Sequence, residues 1–95
     1  MESSEAFKID LGNNIIVEKI IKNNGFEIYV KNEKNNDEEG FEYFRNKEGN
    51  ISVSPFYFGK IIEDLCIRLK EITFNVYGKT LIIDEKDNIR IINKN

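Results

Sequence analysis

Histidine is absent from this chain, and so is tryptophan. Without an imidazole there is no Ser-His-Asp or Cys-His nucleophilic site, no histidine general base and no histidine-bearing zinc centre. The one cysteine, Cys66, excludes an internal disulfide and a multi-thiolate zinc site, and its isolation suits a reducing, cytoplasmic compartment. No apolar run approaches the ~20 residues that a membrane-spanning helix needs. The acidic start Met1-Glu2-Ser3-Ser4-Glu5 lacks the basic-then-apolar order of an export signal. The glycines at 12, 25, 40, 49, 59 and 78 are scattered as turn or cap residues, so no phosphate-cradling loop is present.

What remains is a chain of 95 residues, 40% hydrophobic and 33% charged. That length is read as one domain, 1–95, large enough for a core without metals or disulfides. The net charge of −3 argues against nucleic acid as a partner, because it offers no basic field to hold phosphates. The acidity is concentrated in the first half. Residues 1–50 hold seven Lys/Arg against eleven Asp/Glu (7 − 11 = −4), and residues 51–95 hold seven against six (7 − 6 = +1).

Local patterns predict an α+β fold. Asn24-Gly25 is a favoured pair for a two-residue hairpin. Folding the flanks about it sets Lys22 against Glu27, Ile21 against Ile28, Ile20 against Tyr29 and Glu18 against Lys31, two opposite-charge and two apolar pairs. In that register Ile15, Val17, Ile21, Phe26, Ile28 and Val30 share the core face, with Lys19 as the exception. An alternative reading makes 14–24 a short helix, capped by Asn14 and stopped by Gly25. The density of β-branched residues there favours the strand. A second hairpin is expected to join 41–46 to 50–54 through Lys47-Glu48-Gly49, placing Phe41, Tyr43, Ile51 and Val53 in the core and Phe44 outside. A third joins 80–83 to 88–92 around Glu85-Lys86-Asp87, and a short strand at 7–11 begins the sheet.

The stretch 55–77 reads as one long amphipathic helix. Ser54-Pro55 offers a cap followed by a first-turn proline, and Gly78 a stop. Phe58, Ile61, Ile62, Leu65, Leu69, Ile72 and Val76 recur at three- and four-residue steps. The expected architecture is therefore an antiparallel sheet of about five to seven short strands packed on this helix, with Cys66 a small residue at the edge of its buried stripe.

Chemistry is sparse. Asn35-Asn36-Asp37-Glu38-Glu39-Gly40 has the alternation of a calcium loop, but Asn46 stands where the bidentate glutamate belongs. The carboxylates Asp84, Glu85 and Asp87 are read as solvated turn residues. No catalytic, cofactor-binding or metal-binding residues are assigned, and the chain is read as a non-enzyme with no cofactor. Two apolar sets are left over once the core is allotted: Ile16, Ile20, Tyr29 and Phe44 on the outer sheet face, and Ile67 with Phe74 on the outer side of the expected helix. Apolar patches rimmed by charge mark protein contacts. These residues, together with the acidic Asp37, Glu38, Glu39 and Glu42, are the candidate partner-binding surface.

The expected function is accordingly a small protein-binding module that acts by occupying a partner's surface, the partner being a protein with a basic face. Size and lack of catalytic residues match inhibitors encoded by phages and other mobile elements, a likeness of size and not of motif. The alternative is a self-associating structural or assembly subunit, a homo-oligomer.

Overall fold

Between Glu71 and Val76 burial alternates residue by residue. Ile72, Phe74 and Val76 are buried, while Glu71, Thr73 and Asn75 are partly open. That is the period of a strand and not of a helix. The computed structural model describes residues 6–57 and 59–92. In it the chain forms nine antiparallel strands: β1 Ala6–Gly12, β2 Ile15–Lys22, β3 Gly25–Asn32, β4 Asp37–Arg45, β5 Ile51–Tyr57, β6 Ile62–Arg68, β7 Glu71–Val76, β8 Lys79–Ile83 and β9 Ile89–Ile92. They make two meanders, a five-stranded sheet in the order β1-β2-β3-β4-β5 and a four-stranded sheet β6-β7-β8-β9. Among the described residues there is no helix, so the architecture is all-β and not α+β.

The expected helix over 55–77 is replaced by the end of β5, the whole of β6 and β7, and the turn between them. Two short strands joined by a two-residue turn placed their inward residues at spacings that imitate a helical stripe. Ile61, Ile62, Ile72 and Val76 are buried as that stripe required. Leu69, at its centre, is instead the tip of the β6–β7 turn, 88% exposed with φ 58°. The turn Leu69-Lys70 contains no glycine, proline or asparagine to announce it. Cys66, expected at a core edge, is exposed on β6, and Phe58 lies outside the described residues. Pro55 is no helix start. It sits in β5, an edge strand, where the absent N–H breaks no ladder on the open side. Gly78 closes no helix either. Tyr77 (φ 48°) and Gly78 (φ 82°) form the β7–β8 turn with both central residues left-handed, as a type I′ hairpin requires.

A left-handed leucine is costly, because its Cβ crowds the carbonyl oxygen. Leu69→Asn relieves this, since asparagine adopts the conformation readily. The expected gain is about 0.5–1 kcal/mol in folding free energy, read as a higher urea midpoint.

The alternative helix over 14–24 is also absent; those residues are β2 and its flanking turns. The hairpin with β3 forms, but about Asn23-Asn24, with Lys22 opposite Gly25. Each partner therefore moves by two residues from the expected register: Ile20 faces Glu27 and Glu18 faces Tyr29. A shift of two leaves every side chain on its expected face. Ile15, Val17, Ile28 and Val30 are buried, Phe26 partly so, and Ile21 is left exposed at the sheet end. Gly25 is held in the strand by close approach: a Cβ there would lie 2.4 Å from the Tyr43 carbonyl oxygen. The 41–54 hairpin forms in the expected register, with Arg45 opposite Ile51. Its loop, 46–50, matches that of the β8–β9 hairpin, 84–88. In each, the first side chain accepts the backbone N–H of the third and fifth residues (Asn46 from Glu48 and Asn50, Asp84 from Lys86 and Asn88). The fourth residue, Gly49 or Asp87, is left-handed.

The two sheets share one core. Phe41 of β4 meets Phe74 of β7 edge-to-face at 5.4 Å between centroids, and Phe26 stacks on Tyr43 at 4.9 Å. Two polar clasps tie the layers together. Glu39 of β4, 6% exposed, accepts the backbone N–H groups of Lys60 (2.9 Å), Ile61 (2.8 Å) and Ile62 (2.8 Å) where the chain enters the second sheet. At the other clasp Asp87 receives the Tyr43 hydroxyl (2.9 Å) and the Arg45 Nε–H (2.8 Å), while its carbonyl accepts from the Lys19 ammonium. Arg45 also donates to the carbonyls of Lys70 (2.7 Å) and Asp84 (2.8 Å), so one guanidinium fixes two loops of the opposite sheet.

Candidate protein-interaction surface

On the outer face of the first sheet the register sets Ile16, Glu18, Ile20 and Lys22 of β2 opposite Lys31, Tyr29, Glu27 and Gly25 of β3. Beyond them stand Glu38, Gly40, Glu42 and Phe44 of β4. Tyr29 lies between Glu18 and Gly40. Gly40 is itself buried, and Ile16 and Ile20 are the diagonal neighbours of Tyr29 on β2. Phe44 faces Ser52 and lies beside Gly25, where an added Cβ would fall 3.0 Å from the Phe44 Cβ; it is 48% exposed. A hollow of about 700 Å³ opens at the β2–β3 turn, bordered by Ile20, Lys22, Gly25, Glu42, Phe44 and Ser54.

The charge around this patch is predominantly acidic. Tyr29 donates its hydroxyl to Glu27 (3.1 Å), and the second Glu27 oxygen pairs with Lys22 at 2.9 Å. Burial, then the Glu27 carboxylate, raises the Tyr29 phenol above its ordinary value, so it remains a donor at neutral pH. Glu27 directly faces Glu42 across the β3–β4 ladder, a like-charge pair that costs stability. Glu38 faces Lys31.

The candidate residues divide accordingly. Ile16, Ile20, Tyr29 and Phe44 share the outer face, the first three contiguous and Phe44 across the hollow. Asp37, Glu38 and Glu42 are exposed on β4; the stretch 32–40, which its polar, acidic composition suggests is a loop, is a turn only at 33–36. Glu39 is withdrawn from the surface, because the pleat turns it inward and its carboxylate is spent on three backbone amides. The Ile67–Phe74 pair dissolves. Phe74 is fully buried against Phe41, whereas Ile67 is exposed on β6.

Sequence reasoning missed Arg45, Asp84 and Asp87 as organising residues, having read the last two as solvated. The only signal was Lys19, an ammonium on an otherwise apolar face. That ammonium lies 5.6 Å from the Phe26 ring centroid and 5.9 Å from that of Phe7. Among the described residues no three acidic or cysteine side chains converge as metal ligands would. No helix there is long and apolar enough to cross a membrane.

No family model, curated protein or solved structure matches this chain. Its function must therefore be argued from the surface itself.

Proposed function

We propose that this chain is a non-enzymatic protein-binding module that docks a basic partner on the outer face of β2–β4 and acts by occupying that partner's surface in a reducing, cytoplasmic compartment. The observation that carries the reading is the half-exposed Phe44 ring beside Gly25. It leaves apolar area open on a face where Ile16, Ile20 and the partly buried Tyr29 stand within a rim of Glu18, Glu27, Glu38 and Glu42. Aromatic patches with a charged rim are the usual anatomy of a contact surface. A lysine or arginine of the partner set between Glu27 and Glu42 would turn an unfavourable pair into an attractive one.

The test compares wild type with Phe44→Lys, a change at a half-exposed position that leaves the core intact. Wild type is expected to retain a specific protein from lysate of its source cell at low salt, and rising salt is expected to weaken the contact. Phe44→Lys is expected to weaken it at least about tenfold, with an unchanged circular dichroism spectrum. Equal binding by the variant, or no specific protein retained by wild type, would overturn the assignment.

A further inference from the structure

The four sheet edges are not equally protected. β5 carries Pro55; β6 is interrupted between Glu63 and Cys66, with Asp64 left-handed (φ 56°); and β9 has four residues among those described. Proline, irregularity and shortness are the usual devices against edge pairing. β1 has seven residues, no proline, and unbroken pairing with β2 from Ala6 to Asp10. Its devices are Lys8 and an irregularity at the far end, between Asp10 and Gly12, which leaves Ala6–Asp10 regular.

We propose that two copies of this chain associate through β1, antiparallel, about a two-fold axis at Ile9. The segment Phe7-Lys8-Ile9-Asp10-Leu11 is self-complementary in that register alone among its neighbours. With Ile9 opposite Ile9 of the second copy, Lys8 faces Asp10 twice by symmetry and Phe7 faces Leu11. Sliding by two residues one way sets Lys8 against Lys8, and the other way Asp10 against Asp10. Slips by one residue place apolar side chains on the polar face. Cross-strand charge therefore selects a single isologous pairing, in which the edge lysine changes from guard to contact. Phe7, 52% exposed although it lies on the core side opposite Lys19, gains an apolar neighbour. The Asp10 carboxylate already accepts the Gly12 N–H at 2.8 Å and has capacity for an ion pair besides.

The two five-stranded sheets then form one ten-stranded sheet. Their outer faces lie side by side, so the patch around Tyr29 and Phe44 is presented twice. The pairing itself does not depend on what binds there.

Sedimentation equilibrium of the full chain, from low to high micromolar concentration, tests this. Wild type is expected to show a monomer–dimer equilibrium. Lys8→Glu is expected to raise the dissociation constant about tenfold or more; because position 8 faces Glu18 within the chain, the unfolding midpoint is expected to fall by no more than a like-charge strand pair costs. An independent readout of register uses a Cys66→Ser background. There, Ile9→Cys is expected to give an oxidised covalent dimer, because directly opposed strand positions are within disulfide reach, and Lys8→Cys is not. A wild-type chain that stays monomeric throughout would overturn the proposal. So would a dimer indifferent to Lys8→Glu that fails to cross-link through position 9.

Discussion

Replacing Asp87 with alanine is expected to lower the folding free energy by about 3–5 kcal/mol, the cost of removing one partner from a largely buried ion pair. The Arg45 and Asp87 side chains are only 13% and 20% exposed. Without the carboxylate, the guanidinium keeps its carbonyl acceptors at Lys70, Asp84 and, more weakly, Gly49 but loses its counter-charge, and the Tyr43 hydroxyl loses its acceptor. That hydroxyl has no escape by ionising. Burial, and then the Asp87 charge, raises the Tyr43 phenol far above its ordinary value. A chain of this length has about 5–14 kcal/mol of stability in total, so the variant would be close to marginal. Asp87→Asn is expected to cost less, because an amide oxygen still accepts and asparagine tolerates the left-handed φ of 66°. Arg45→Met combined with Asp87→Ala should fall short of the sum of the two single changes, since both remove the same interaction. Urea denaturation of the four variants measures each quantity.

Glu39→Gln should be the second large effect, a loss of about 2–4 kcal/mol. The carboxylate accepts three backbone N–H groups with two oxygens. An amide can present only one oxygen, and its own N–H groups would meet a donor at Lys60 or at Ile61 and Ile62. The same site controls part of the acid response. Burial by itself would raise the Glu39 carboxyl, but the N–H donors at Ile62, Ile61 and Lys60 outweigh it and hold the group below its ordinary range. A folded-state value below the unfolded one, near 4.3, contributes stability that is fully present above that pH. The contribution is lost as pH falls through the folded-state value. Asp84 acts in the same sense, lowered by the backbone N–H of Asn88 first, with that of Lys86 and the Arg90 charge assisting. The expected result is that wild type weakens progressively below about pH 4.3, and that Glu39→Gln, already weaker at neutral pH, shows a shallower acid decline. Were Glu39 merely a solvated carboxylate, unfolding midpoints across an acid pH series would decline equally in the two proteins.

Hairpins were legible where a turn residue and an alternating pattern agreed. Gly49, with Phe41, Tyr43, Ile51 and Val53 around it, located the β4–β5 register, because a left-handed position in a short loop leaves few choices. The faces of β2 and β3 were legible for a different reason. The period of two in Ile15, Val17, Ile28 and Val30 survives a misplaced turn, provided the error is an even number of residues. The turn was misplaced because Asn23, Asn24 and Gly25 all suit tight turns. The choice among them rests on a carbonyl of β4 that needs the space beside Gly25, a neighbour that local sequence does not reveal.

The region 55–77 misled for a physical reason. Ile62, Leu65, Ile72 and Val76 satisfy a helical stripe and two short strands equally well, and helix signals at Ser54-Pro55 and Gly78 have strand and turn meanings too. The turn at Leu69-Lys70 is held from outside, by Arg45 donating to the Lys70 carbonyl, and the Lys70 stem occupies the space where a Cβ on Gly49 would crowd it, at 3.2 Å. The roles of Glu39, Arg45 and Asp87 were hidden for the same reason, since each partner lies at least 21 residues away in the chain, apart from the weaker contact of Arg45 with Gly49.

The missing histidine and the lone cysteine belong to the sequence alone, and no fold can restore the chemistry they remove. The core face of each early strand and the outward position of Tyr29 and Phe44 were also determined there, because a two-residue period survives any even slip in register. Whether 55–77 became helix or hairpin was decided only by tertiary structure. A second sheet supplies the inner face of the first with an apolar partner in Phe74 and with buried charge partners in Asp87 and the 60–62 amides, and a single helix would bring neither clasp within reach.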